Sequence, residues 1–118
     1  MTIVWDEIAH QVITTLSEQE KKTCAAYIDQ HIFNVGAALK LNRREHIVTE
    51  ATVLAFIDLD PAANWGHNCR YLLFEAESNR LKEKIEGQFP PDRDALRLIH
   101  RGESVEDWML LTTQRLDK

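Results

Sequence analysis

Three segments rich in β-branched and aromatic residues constrain the fold of this chain more than any other feature. The first runs from His46 to Asp58, the second from Cys69 to Phe74, and the third from Leu81 to Glu86. The first two have the composition of buried strands, whereas the third alternates apolar with charged residues, as a half-exposed strand does. Parallel pairing needs a crossover of about a dozen residues or more. The shorter connections here therefore predict a three-stranded antiparallel meander.

Two helices are expected before these strands. The first carries one continuous apolar stripe at three-to-four spacing. The stripe consists of Trp5, Ile8, Ala9, Val12, Ile13 and Leu16. Ser17 and Glu20 have the spacing of a capping box, which predicts the start of a second helix. Its apolar positions are Cys24, Tyr27, Ile28, Ile32 and Val35. The segment 41–44, which contains Asn42, Arg43 and Arg44, marks its end, and its extent beyond Gly36 stays open.

Two further helices are expected after the strands. Asp92 can cap a helix that Gly102 ends, and Ser104 with Asp107 opens a last helix. The stripe of this last helix is Val105, Trp108, Met109, Thr112 and Leu116, so Trp108 is expected in the core, as is Trp5. With only four Gly, three Pro and no linker-like stretch, residues 1–118 are expected to form a single globular domain. The fold class predicted is α+β: two N-terminal helices, a three-stranded antiparallel meander, and two C-terminal helices packed on one face of the sheet.

The charge balance excludes some partners. Nineteen acidic and fourteen basic residues give a net charge of −5, which disfavours binding to nucleic acid or to an anionic membrane. No apolar run approaches the roughly 20 residues of a membrane span. The first ten residues include Asp6, Glu7 and His10, unlike a secretory signal. Two cysteines, Cys24 and Cys69, favour a reducing compartment, so a cytoplasmic location is expected.

The connection from Asp58 to Cys69 is the most unusual stretch of the sequence. It is longer than a tight hairpin needs, and it concentrates an aromatic, a histidine, two carboxylates and two amides. Loops carry binding residues more often than packed elements do, and exposed aromatic side chains are typical of interface hot spots. The candidate interaction residues are Asp58, Asp60, Asn64, Trp65, His67 and Asn68. No catalytic residue, metal or cofactor is assigned.

Two other chemistries can be considered for the same loop. Asp58, Asp60 and His67 could bind a metal together with Cys69, but no C-x-x-C or H-E-x-x-H motif accompanies them. Cys69 could also act as a nucleophile. His67 lies two residues away, about 6–7 Å along an extended strand, which is too far for a direct hydrogen bond. His46 would then be the candidate base.

These features favour a small acidic cytosolic protein that binds another protein. The expected function is that of an immunity-type inhibitor that occludes a toxin or enzyme partner, with a basic toxin or nuclease as the partner class. Acidic groups would steer its association with a basic active-site cleft. One alternative is a small enzyme or a ligand- or metal-binding domain that uses the Asp58–Cys69 loop. Another is a homo-oligomeric structural module, for example a homodimer, joined through the sheet edge or the helical stripes.

Overall fold

The computed structural model describes residues 3–63, 66–91 and 94–116. Over these ranges, two α-helices come first, then seven strands and a short 3-10 helix. The elements are α1 (Trp5–Thr14), α2 (Glu18–Thr23), β1 (Ala25–Asp29), β2 (Ala38–Leu41), β3 (Arg44–Ile47), β4 (Thr52–Asp58), β5 (Cys69–Glu75), β6 (Arg80–Gly87), β7 (Leu96–Arg101) and the 3-10 helix Asp107–Met109. Neither α-helix in the described ranges is long and apolar enough to cross a membrane.

Five of the strands form one antiparallel sheet in the order β6-β5-β4-β1-β7, while β2 and β3 form a separate hairpin. The central position of β1 and β4 explains why both strands are buried along their whole length. At the end of β4, Asp58 lies opposite Ala25 on one side and Cys69 on the other. A carboxylate is therefore placed inside the sheet rather than at its edge.

Alternation along the strands divides the core between the two faces of the sheet. One face packs against α1, through the fully buried Ile8 and Val12. The opposite face, which we call the hairpin face, is covered by β2, by Val48 just after β3 and by the chain around Val105. Its largest buried side chains are aromatic. Tyr27, Phe56 and Tyr71 follow one another across β1, β4 and β5, with ring centroids 6.2 and 5.7 Å apart.

The predicted second helix is correct at its start and wrong in its length. The Ser17–Glu20 capping box is present, but α2 ends at Thr23 and the chain continues directly into β1. The three-to-four spacing beyond Cys24 does not reflect a helix: β1 is buried along its whole length and four of its five residues are apolar, while Ile32 and Val35 lie beyond it. A short apolar run of this kind does not distinguish a strand from a helix by its period.

The predicted end of that helix is the turn of the β2–β3 hairpin. Asn42 and Arg43 have φ values of 50° and 66°, and Leu41 pairs with Arg44 across them. Two consecutive left-handed residues are the mark of a type I′ turn, whose twist matches that of the strands. The first strand of the predicted meander therefore begins at Thr52 and not at His46, because the preceding residues belong to β3.

The two predicted C-terminal helices are also wrong, and with them the predicted fold class. Leu96 and Leu98 alternate with less buried neighbours in β7, which extends the sheet to five strands. The expected N-cap, Asp92, lies outside the described residues. Gly102 does not cap a helix: it lies against the backbone of Lys22, where a Cβ would stand 2.5 Å from the carbonyl carbon. The last segment forms only the 3-10 helix, and Trp108, expected in the core, is 66% exposed.

Candidate functional site

Four connections meet at one end of the hairpin face and line a cavity of about 540 Å³. They are the hairpin turn at 42–43, the β4–β5 connection, the chain after β6 and the segment 107–111. Cavities of this volume fall within the range that holds small ligands or a protruding side chain. The cavity is the region where the sequence-predicted loop and the rest of the fold come together.

Asp58 and His67 form a buried pair in this cavity. The Nε2 atom of His67 lies 2.8 Å from Oδ1 of Asp58, and the same oxygen accepts a hydrogen bond from the backbone N–H of Asp60 at 3.1 Å. The Asp58 side chain is 5% exposed and the His67 side chain 14%. A nitrogen and an oxygen at this separation require a proton between them, so the pair orients the imidazole ring.

Burial dominates the electrostatics of this carboxylate. Removal from water raises the pKa of Asp58, while the neighbouring imidazole of His67 and the Asp60 N–H act in the opposite direction. Because its pKa is above the usual value, Asp58 favours the folded state most when it is protonated, and this contribution declines as the pH rises through the raised pKa. Burial of the ionised carboxylate therefore carries a desolvation cost, and we do not assign the pair a stabilising role.

Cys69 and Tyr71 support the segment that follows β6. The Cys69 thiol donates to the carbonyl oxygen of Phe89 at 3.7 Å, and the Tyr71 hydroxyl donates to the same oxygen. On the other side, the His67 N–H donates to the Gln88 carbonyl at 3.0 Å. The backbone at 88–89 is thus held from two sides, which fixes the position of the Phe89 ring in the cavity wall.

The hairpin turn contributes a cation to the same wall. The Arg43 guanidinium lies over the Phe89 ring, with Cζ 4.0 Å from its centroid, and the Asn42 side chain accepts a hydrogen bond from the Gln88 N–H at 3.0 Å. At φ +66°, Arg43 occupies a left-handed position that glycine normally fills, at a cost of roughly 1–2 kcal/mol. Strained residues of this kind concentrate at functional sites.

Trp108 lies at the cavity mouth on the 3-10 helix. Its indole N–H donates to the Glu106 carboxylate at 2.9 Å, and 66% of the residue is exposed. Asp107, next to it, forms an ion pair with Arg101. The segment is anchored from below because the Leu111 N–H donates to the Tyr27 hydroxyl at 3.0 Å. The indole is therefore displayed on a fixed backbone rather than on an unattached loop.

The six predicted interaction residues differ in their placement. Asp58 and His67 are brought together, but their burial makes them internal supports of the loop. Asp60 and Asn68 are exposed, and the Asn68 carbonyl accepts from the Leu59 N–H at 3.2 Å. Asn64 and Trp65 lie outside the described residues. Asp60 and Asn68 therefore remain candidates for direct contact with a partner, while Asp58 and His67 remain candidates for holding the loop in position.

The geometry of the described residues does not support the metal site or the nucleophilic thiol considered for this loop. In the described ranges, no group of three or more His, Cys, Asp and Glu side chains is arranged to hold a metal ion. Cys69 is 1% exposed, and burial raises the pKa of its thiol, which opposes formation of a nucleophilic thiolate. His46, the candidate base, is in β3, where it pairs with Leu39 of the hairpin.

Three residues of the site were missed from the sequence: Arg43, Phe89 and Trp108. Asn42 was a usable signal for the hairpin, and hence for Arg43, because asparagine favours the left-handed positions of a two-residue turn. The exposure of Trp108 had no such signal, since its spacing matched a helical stripe. Comparison of the chain with protein-family models, with curated proteins and with solved structures gives no match.

Proposed function

We propose that this chain is a cytoplasmic immunity-type inhibitor, which binds a basic toxin or enzyme and occludes it with the cavity end of the hairpin face. The observation that carries the proposal is the exposed indole of Trp108 on an anchored 3-10 helix. Tryptophan is the residue type most enriched in interface hot spots, and a fixed backbone reduces the entropy lost on binding.

Charge complementarity supports a basic partner. Glu103 and Glu106 are exposed on the segment that carries Trp108, and Asp60 is exposed on the β4–β5 connection. The neighbouring Asp107 is paired with Arg101. Together with the net charge of −5, this surface would accelerate association with a positively charged protein and would disfavour acidic ones.

The test uses the product of the neighbouring gene as the partner, co-expressed and purified with this chain. Substitution Trp108→Ala should weaken the complex by about 2–4 kcal/mol, roughly 30- to 1,000-fold in Kd, as for other hot-spot tryptophans. Ile47→Ala is the matched control, since Ile47 is a 59% exposed apolar residue at the far end of the hairpin from its turn. Calorimetry would measure both affinities, and a loss of toxin inhibition would accompany the first.

Two results would contradict the proposal. One is the absence of a stoichiometric complex with any basic neighbour. The other is an equal affinity of the Trp108→Ala and Ile47→Ala variants, which would place the interface elsewhere. Because both side chains are exposed, neither substitution is expected to change the free energy of unfolding by more than about 0.5 kcal/mol. Weak binding could therefore not be attributed to unfolding.

The other two hypotheses have less support. A cysteine-dependent enzyme needs an accessible thiolate, and Cys69 is shielded by the Phe89 backbone. A homodimer through the sheet edges is opposed by the side chains of β6, which alternate lysine and glutamate at 82–84. The β7 edge is covered, because the Leu98 N–H donates to the Gln114 carbonyl at 2.7 Å. Sedimentation at two concentrations tests the oligomer directly.

A further inference from the structure

The contact between Arg43 and Phe89 places a guanidinium group against the wall of the cavity. The guanidinium lies over the ring with Cζ 4.0 Å from the centroid, the geometry of a cation–π contact. Both residues line the cavity that also contains Asp58, His67 and Trp108. In the described part of the chain, Arg43 forms no ion pair with a carboxylate. Its guanidinium contacts the Phe89 ring instead.

The surroundings of this contact favour a cation over an anion. Asp58 is a carboxylate inside the cavity, and the chain segments at its mouth carry the exposed Asp60 and Glu106. Two aromatic rings, those of Phe89 and Trp108, form part of the wall. Aromatic faces and carboxylates both attract cations, and they do so more strongly when water is excluded. In the unbound protein, the positive charge over the Phe89 ring is that of Arg43.

We propose that the cavity is a binding site for a guanidinium or amidinium group, and that Arg43 occupies its aromatic wall as an intramolecular competitor. The incoming group is the arginine side chain of the basic partner. That the group comes from a protein rests on the proposed function, but that the cavity binds a guanidinium does not. On binding, the partner's guanidinium replaces that of Arg43 over Phe89 and approaches the Asp58–His67 pair. Arg43 then turns outward into solvent, which its position at the tip of a hairpin allows.

The test compares three small probes of the same shape and different charge: benzamidine, benzamide and benzoate. Binding is followed by NMR through the indole N–H of Trp108, assigned by comparison with a Trp108→Phe variant. Benzamidine should bind wild-type protein about tenfold more tightly than either of the other two probes. Arg43→Gln removes the competitor and should strengthen benzamidine binding by about two- to fivefold, the equivalent of an exposed cation–π contact.

Arg44→Gln is the matched control. It removes the same charge from the adjacent residue, which is exposed in β3 and does not line the cavity. Its benzamidine affinity should equal that of wild-type protein. A change confined to the Arg43 variant would then be due to removal of the Arg43 guanidinium from the Phe89 ring, and not to the loss of one positive charge. Arg43→Gly is the second variant: it suits the left-handed backbone and should give the same gain in affinity with no loss of stability.

Three outcomes overturn the inference. Tighter binding of benzoate, lost in Arg43→Gln, would make Arg43 an anion ligand. Equal effects of the Arg43 and Arg44 substitutions would show that Arg43 does not compete with the probe for the Phe89 ring. No shift with any probe would show that the cavity is not a site, even if Trp108→Ala weakens the protein complex. Conversely, benzamidine binding without a protein partner would leave this chemistry standing and remove the proposed function.

Discussion

Gly87 lies beneath the Tyr71 ring, and a methyl group there should disturb both the core and the candidate site. A Cβ at position 87 would stand 2.8 Å from the Tyr71 hydroxyl oxygen and 3.0 Å from Cζ. Real Cβ atoms do not approach other atoms so closely, and Tyr71 is fully buried beside Phe56, so its ring cannot simply swing away. Gly87→Ala therefore forces the ring from its position and breaks its hydrogen bond to the Phe89 carbonyl.

The expected cost has two parts. Overpacking of a closely packed core costs about 2 kcal/mol, and loss of a buried hydroxyl–carbonyl hydrogen bond costs about 1 kcal/mol. Gly87→Ala should thus lower the free energy of unfolding by about 3 kcal/mol, a large fraction of the 5–15 kcal/mol typical of a domain. Tyr71→Phe, which removes only the hydroxyl, should cost about 1 kcal/mol. The double variant should cost about 1 kcal/mol less than the sum, because the hydrogen bond is lost only once.

Urea denaturation followed by circular dichroism measures all three variants. Glu83→Ala is the control, because Glu83 is an exposed position of the same strand and its replacement should change stability by less than about 0.5 kcal/mol. A loss below about 1 kcal/mol for Gly87→Ala would refute the steric argument. Strict additivity of the two single substitutions would refute the assigned role of the Tyr71 hydroxyl. Benzamidine binding by Gly87→Ala should also weaken, since the displaced Phe89 backbone carries the aromatic wall.

Three further outcomes are expected. Gly102→Ala should lower the free energy of unfolding by about 3 kcal/mol in the same assay, because its Cβ would meet the Lys22 backbone, and a loss below about 1 kcal/mol would contradict this close approach. The pKa of Glu20 is lowered, chiefly by its capping hydrogen bond from the Ser17 N–H. The stability advantage of wild-type protein over Glu20→Gln should therefore shrink as the pH falls below the ordinary pKa of 4.5. An advantage that grew as the pH fell would contradict this prediction. Burial raises the pKa of Cys24 to about 11 and also raises that of Cys69, so neither thiol should react with Ellman's reagent at pH 8 until urea unfolds the protein; rapid reaction of the native protein would contradict their burial.

Several elements could be predicted because their signals are local. The first helix follows from a stripe of apolar residues, and the start of α2 follows from a capping box that satisfies its own backbone. The strand β5 follows from an apolar run, and β6 from the partial alternation of Leu81 and Ile85 with charged residues. Each of these patterns depends only on residues close in the chain, so no knowledge of the partner elements is needed.

The chain around β1 and β7 shows where local signals fail. In β1 every position is buried, so its apolar residues satisfy a helical and an extended pattern equally well. The choice is made by β4 and β7, which supply hydrogen-bond partners on both sides. The residues after Gly102 have a helical stripe, yet the backbone is drawn to Lys22 and Tyr27 instead, which leaves Trp108 outside the core.

The same division applies to the candidate site. The sequence by itself singled out the β4–β5 connection, because its composition departs from that of any packed element. Only the tertiary structure could bring Arg43 and Phe89 together, since this contact depends on how the hairpin turn packs against the chain after β6. It also decided how the β4–β5 connection folds back, which buries Asp58 against His67. Composition acts through each residue's own chemistry, whereas a site depends on distances between residues far apart in the chain. Those distances are set by packing.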